Sequence, residues 1–145
     1  MTVLNRTVRF ALLAVGLLVV ATACAFPQQG TDSTESIDGT YYVNGVDGRG
    51  IEYGGRLEIT PGDQPDHYAM QWIITGSVQV GTGVKDGNQL EAKWSTVEGL
   101  VNQDGTDRSQ GTASYTIASD GTLTGTRTID GQNEPGTEEA FPVKP

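Results

Sequence analysis

HYAMQWIIT, residues 67–75, alternates without a break: Tyr68, Met70, Trp72 and Ile74 fall on one side of an extended chain, and Ala69, Gln71, Ile73 and Thr75 on the other. A period of two is the mark of a strand with one face turned to a core. The same period runs through Ile51, Tyr53, Gly55, Leu57 and Ile59 and through Val78, Val80, Thr82 and Val84. It returns more faintly in Leu90, Ala92 and Trp94, in Ala113, Tyr115 and Ile117, and in Leu123, Gly125, Arg127 and Ile129. Between these runs stand Asp-Gly steps at 38-39, 47-48, 86-87, 104-105, 120-121 and 130-131 and an Asn-Gly step at 44-45. Such dipeptides suit tight hairpins, whose central residues take positive φ.

Eight strands are therefore expected, near 40–45, 51–60, 67–75, 77–85, 88–95, 110–118, 122–130 and 136–143. No segment carries a helical period. Short links favour an all-β, eight-stranded antiparallel up-and-down meander, and closure into a barrel removes its edges. A two-sheet sandwich is the alternative. One link, Thr96 to Ser109, is long and carries Val97, Leu100 and Val101, which suits a flap over a barrel mouth.

In this reading Tyr53, Tyr68, Trp72, Trp94, Tyr115 and Phe141 project inward. Placing Asp130 opposite Gly136 in the last hairpin sets Arg127 against Glu139, Gly125 against Phe141 and Leu123 against Val143. That register predicts an inward charge pair, Arg127 with Glu139. An eight-strand barrel is just wide enough to be filled by side chains or to hold one small ligand. A filled core is the plainer expectation.

The chain opens with Arg6 and Arg9, an apolar run from Phe10 to Val20, and the small residues Ala21, Thr22 and Ala23 before Cys24. This order reads as a signal peptide over 1–23. The run is too short for a comfortable membrane span, which needs about 20 residues. Cys24 is the lone cysteine and has no disulfide partner within the chain. Its place after small residues resembles the lipobox of bacterial lipoproteins, which implies a lipid on Cys24, a membrane anchor and a position in the bacterial cell envelope facing periplasm or exterior. Residues 24–37 then read as a polar tether, and 38–145 as one β-domain.

Loss of residues 1–23 would leave seven Lys/Arg against eighteen Asp/Glu, a net charge of −11. Such a chain repels phosphate backbones, so nucleic acid is excluded as a partner and the membrane link is expected to be covalent.

Asp38-Gly39-Thr40-Tyr41, the Trp72 strand, Gly81-Thr82-Gly83, Asp120-Gly121-Thr122-Leu123-Thr124-Gly125 and Gly136-Thr137-Glu138 resemble small exported bacterial β-proteins of the fibronectin-binding-like kind. The meander also resembles avidin-type and lipocalin-type barrels in plan, with no ligand residues of either carried over.

Catalytic chemistry finds little to work with. The lone histidine, His67, opens a strand with no Gly-x-Ser-x-Gly turn anywhere in the chain. Zinc ligands are too few. No cofactor is implied. Asn102, Asp104 and Asp107 cluster in the long link as a candidate calcium site, though Asx turns explain them more simply. The expected function is non-enzymatic: a binding, adhesion or inhibitor module contacting another macromolecule. The alternative is a small-molecule binder with Trp72, Trp94 and Tyr115 as walls and Arg127 and Glu139 as a polar anchor. A hydrolase using two carboxylates facing one cleft is a second alternative.

Overall fold

A computed structural model describes residues 36–99 and 109–144. Cys24 and most of the tether, and the Asn102, Asp104 and Asp107 cluster, lie outside the described residues. Eight strands follow one another: β1 (Gly39–Val46), β2 (Glu52–Pro61), β3 (His67–Ile74), β4 (Ser77–Asp86), β5 (Gln89–Gly99), β6 (Gln110–Ile117), β7 (Leu123–Arg127) and β8 (Gly136–Pro142). Each pairs antiparallel with the next and β8 pairs with β1, which makes a closed meander barrel rather than a sandwich.

The Asp-Gly steps at 47-48, 86-87, 120-121 and 130-131 fall at strand ends and links, whereas Asn44-Gly45, expected as a turn, lies within β1 and pairs with β2 and β8 on either side. Ile74 faces Ser77 across Thr75-Gly76, with Gly76 at φ 74°, a conformation glycine adopts without steric cost. β5 continues past residue 95, so Thr96 and Val97 belong to strand and not to the long link. The Thr96 amide donates to the Ser109 carbonyl at 2.8 Å, so β5 leaves and β6 returns at the end of the barrel that carries residues 47–51, 75–76 and 128–135.

At the other end the interior is packed. Tyr41, Leu57, Ile59, Tyr68, Met70, Leu90 and Leu123 are all buried. Ile37, expected at the end of the tether, is instead part of this core at 3% exposure. Its carbonyl accepts from the Tyr41 hydroxyl at 2.8 Å.

Two expected faces are reversed. Along β4 the interior receives Gln79, Gly81, Gly83 and Lys85, while Val80 and Val84 face out. Large neighbours explain it, because a Cβ on Gly83 would stand 2.8 Å from Met70 Sδ and 3.0 Å from Leu90 Cδ1. A Cβ on Gly81 would stand 3.1 Å from Trp72 Cζ3. The space that valines would have occupied is filled from the adjoining strands.

The second reversal concerns the last hairpin. β7 ends at Arg127, which pairs with Gly136, and Leu123 pairs with Ala140. The register is three residues from the one expected, and an odd shift exchanges the faces of a strand. Glu138 and Ala140 therefore point in, while Glu139, Phe141 and Val143 are exposed. The adopted register lets one inward acid meet four side-chain donors, and it places the small Ala140 between Val43 and Leu123.

Candidate functional site

Glu138 stands at the centre of the polar part of the interior, 1% exposed. Glycines flank it on both sides: Gly45 of β1 and Gly125 of β7 are its cross-strand partners. Beyond each glycine is a tyrosine, Tyr53 paired with Gly45 and Tyr115 paired with Gly125. The row Tyr53, Gly45, Glu138, Gly125, Tyr115 thus crosses five strands. A side chain at Gly45 would collide with the Tyr53 ring, so glycine is what lets that ring lie across β1 towards the acid.

Four donors converge on the carboxylate. Tyr53 Oη donates to Oε2 at 2.8 Å and Arg127 Nη1 to the same oxygen at 2.9 Å. Trp72 Nε1 donates to Oε1 at 3.1 Å and Tyr115 Oη to it at 2.5 Å. A carboxylate offers about four lone-pair sites, and all are used here. Burial, and then the charge of Glu138, pushes the hydroxyls of Tyr53 and Tyr115 above the usual tyrosine value. Both stay protonated and able to donate.

Arg127 completes the arrangement. Its Nη2 donates to Gln79 Oε1 at 2.6 Å. Its guanidinium lies over two indoles, 4.9 Å from the centroid of Trp72 and 4.4 Å from that of Trp94, a doubled cation–π contact. Burial alone would lower its pKa; the charge of Glu138 and the neighbouring tyrosines outweigh that and raise it. Trp94 is itself set between glycines, Gly81 on β4 and Gly111 on β6, and its Nε1 donates to the Thr112 carbonyl at 3.2 Å.

Above this platform the described residues leave a hollow. A cavity of about 260 Å³ is lined by Trp94, Arg127, Gln79 and Tyr53 from the interior, by Ile51, Ile74 and Ile129 as apolar wall, and by Ser77. Its rim carries Asp47, Arg49, Glu52 and Glu134. Asp47 organises one side, accepting from the amides of Arg49 and Ile51 at 2.9 Å each and from the Arg49 side chain. Slight burial raises its carboxyl, but these hydrogen bonds pull it below the usual range. Ser77 Oγ is buried and has no hydrogen-bond partner among the described residues.

Of the residues expected at a site, Trp72, Trp94, Tyr115 and Arg127 come together. Glu139 does not: it faces solvent, and the acid paired with Arg127 is its neighbour Glu138. Trp72 and Tyr115 lie beneath the cavity and do not line it; Trp94 does. Sequence reasoning missed Glu138, Gln79 and the donor role of Tyr53. The available signal for Glu138 was the pair of glycines, Gly45 and Gly125, each standing opposite a tyrosine. His67 is exposed at the packed end, its Nδ1 2.9 Å from the Pro65 carbonyl. Among the described residues Glu138 is the one buried acid, and no group of three or more His, Cys, Asp or Glu is placed to hold a metal.

No protein-family model matches the chain, and no curated protein sequence matches it. Solved structures do. A redesigned β barrel, mFAP1, bound to DFHBI is 15% identical with a TM-score of 0.55 over 74% of this chain and 94% of that one. Another redesigned β barrel is 13% identical with a TM-score of 0.60, covering 74% and 92%. A de novo fluorescence-activating β barrel is 12% identical with a TM-score of 0.54, covering 73% and 93%. At these identities the likeness is one of fold, and the chain shares with them a closed β barrel.

Proposed function

We propose that the protein is a non-enzymatic binding module of the bacterial cell envelope, held by a lipid on Cys24, that takes a small molecule into the open end of its barrel. The cavity carries this reading: apolar walls converge on a few fixed polar groups, as in small-ligand sites generally. That a barrel of this plan is bound to DFHBI in a similar structure supports the capacity of the fold to carry a ligand. The saturated bonding of Glu138 argues against a hydrolase, since a catalytic acid needs a lone pair or proton free for substrate. Native mass spectrometry of the full chain, purified in detergent from its own envelope, tests the reading. A small-molecule adduct is expected on the wild type and not on Ile129→Trp, which fills the cavity from outside the strands. Bare polypeptide plus lipid in both would contradict it. The lipid itself is tested by Cys24→Ser, which should move the protein from the detergent to the aqueous phase.

A second reading is favoured by the outside of β3 to β5. Ile73, Val80, Val84 and Val97 are exposed there at 36–45%, an apolar face suited to contact with another macromolecule. The resemblance to fibronectin-binding-like proteins sits with this reading.

A further inference from the structure

We infer that the ligand of the open end is an uncharged, largely apolar molecule of about two fused rings carrying one amide or hydroxyl group, which bonds to Ser77 and Gln79; the inference rests on the small-molecule reading above. Charge, size and unmet hydrogen bonding each narrow the choice.

Charge comes first. The cation beneath the cavity is already paired, since Glu138 neutralises Arg127 through Nη1 while Nη2 goes to Gln79 and two indoles lie against the guanidinium. An anionic ligand therefore finds no free counter-ion below. At the rim it meets Asp47, Glu52 and Glu134 against Arg49, within a chain of net charge −9. The rim acids can pair only with a positive charge held at the mouth; a cationic group seated inside fares no better than an anion, because the four bonds to Glu138 leave its carboxylate no vacant site and the Arg127 charge lies beside it. Desolvating a charge without a partner is strongly unfavourable. Neutral ligands escape that cost.

The cavity sets how much of a ligand the mouth can hold. An apolar cavity of about 150 Å³ holds benzene; this one, at about 260 Å³, has room for a second ring.

The polar group is set by what is left unpaired. Ser77 Oγ is buried without a partner among the described residues, in a wall otherwise formed by Ile74 and its neighbours. A buried hydroxyl left unpaired costs free energy, and its oxygen both donates and accepts. On the same strand Gln79 has its Oε1 engaged by Arg127, which leaves its amide nitrogen as the donor of that side chain. An amide or hydroxyl on the ligand meets both requirements, while a plain hydrocarbon would leave Ser77 unpaired.

Four probes with one body separate these claims: naphthalene-2-carboxamide, naphthalene-2-carboxylate, 2-naphthylmethylammonium and naphthalene. Calorimetric titration uses the Cys24→Ser chain, free of lipid and detergent. The carboxamide is expected to bind tightest, about tenfold over either charged probe. Ser77→Ala should weaken the carboxamide about tenfold and leave naphthalene unchanged, with a melting temperature no lower than that of the wild type confirming the fold. A charged probe binding as tightly as the carboxamide would overturn the neutral class. Equal effects of Ser77→Ala on all probes, or none on the carboxamide, would overturn the anchor. If no probe binds while the native protein carries an adduct, this inference fails alone; if no probe binds and no adduct is seen, the small-molecule reading fails with it.

Discussion

Arg127 and Glu138 are each held by several bonds at once, so losing either has predictable consequences. Arg127→Met leaves a buried carboxylate without its counter-ion and should cost about 3–5 kcal/mol. Glu138→Gln strands the guanidinium and should cost a similar amount. Because the two losses share a cause, Arg127→Met with Glu138→Gln should be less damaging than the sum of the single changes. Glu139→Gln, one residue away but exposed, should change stability by less than about 0.5 kcal/mol. Chemical denaturation of the five proteins checks the cycle. Additive losses, or a Glu139→Gln loss as large as that of Glu138→Gln, would refute the pair. Trp72→Ala removes a fully buried ring together with a donor to Glu138 and one of the two indoles against Arg127, and should cost about 3–5 kcal/mol.

At the scale of the strand, what the sequence discloses depends on whether inward positions announce themselves. β3 was fully legible because Tyr68, Met70, Trp72 and Ile74 all face in and all are large. β4 was read inside out: its inward positions include Gly81 and Gly83, which are silent in any hydrophobic pattern, while its valines serve the outer face. In β8 two acids stand side by side, and period two cannot choose between them. Only the pairing of Leu123 with Ala140, a long-range fact, selects Glu138 over Glu139. Four aromatic members of the platform, Tyr53, Trp72, Trp94 and Tyr115, and Arg127 were legible as inward residues; the acid that joins them was not. The β4 reversal makes its own prediction. Val80→Thr and Val84→Thr should each stay within about 0.5 kcal/mol of wild type. Gly83→Ala, forced against Met70 and Leu90, should lose about 1–3 kcal/mol. Thermal melts giving the opposite order would return the valines to the interior.

Among the described residues the barrel has a packed half that includes Ile37 and an open half floored by the Arg127–Glu138 platform. Its buried tyrosines tie the fold to pH. An unfolded tyrosine ionises near 10; burial, aided by Asp38 and Tyr68, pushes Tyr41 up to about 12. The folded state holds this proton more tightly, so the contribution is complete below pH 10 and is lost as pH rises from 10 through 12. Tyr53 and Tyr115 are raised in the same direction. Far-ultraviolet circular dichroism should therefore show unfolding in strong alkali that coincides with the late rise of tyrosinate absorbance. Ionisation of these tyrosines near pH 10 with the barrel intact would contradict their burial.

The division into a packed and an open half is tested most directly by the two tryptophans, since each gives one indole N–H signal in a nuclear magnetic resonance spectrum. Trp94 lines the cavity and Trp72 lies beneath it. On titration with naphthalene-2-carboxamide, the Trp94 indole signal and the amides of Ile51 and Ser77 should move. The Trp72 signal should move less, and the amides of Leu90 and Leu123 at the packed end should stay still. Shifts centred on Leu90 and Leu123, or on the outward Val80 and Val84 with Trp94 unchanged, would contradict a ligand site at the open end.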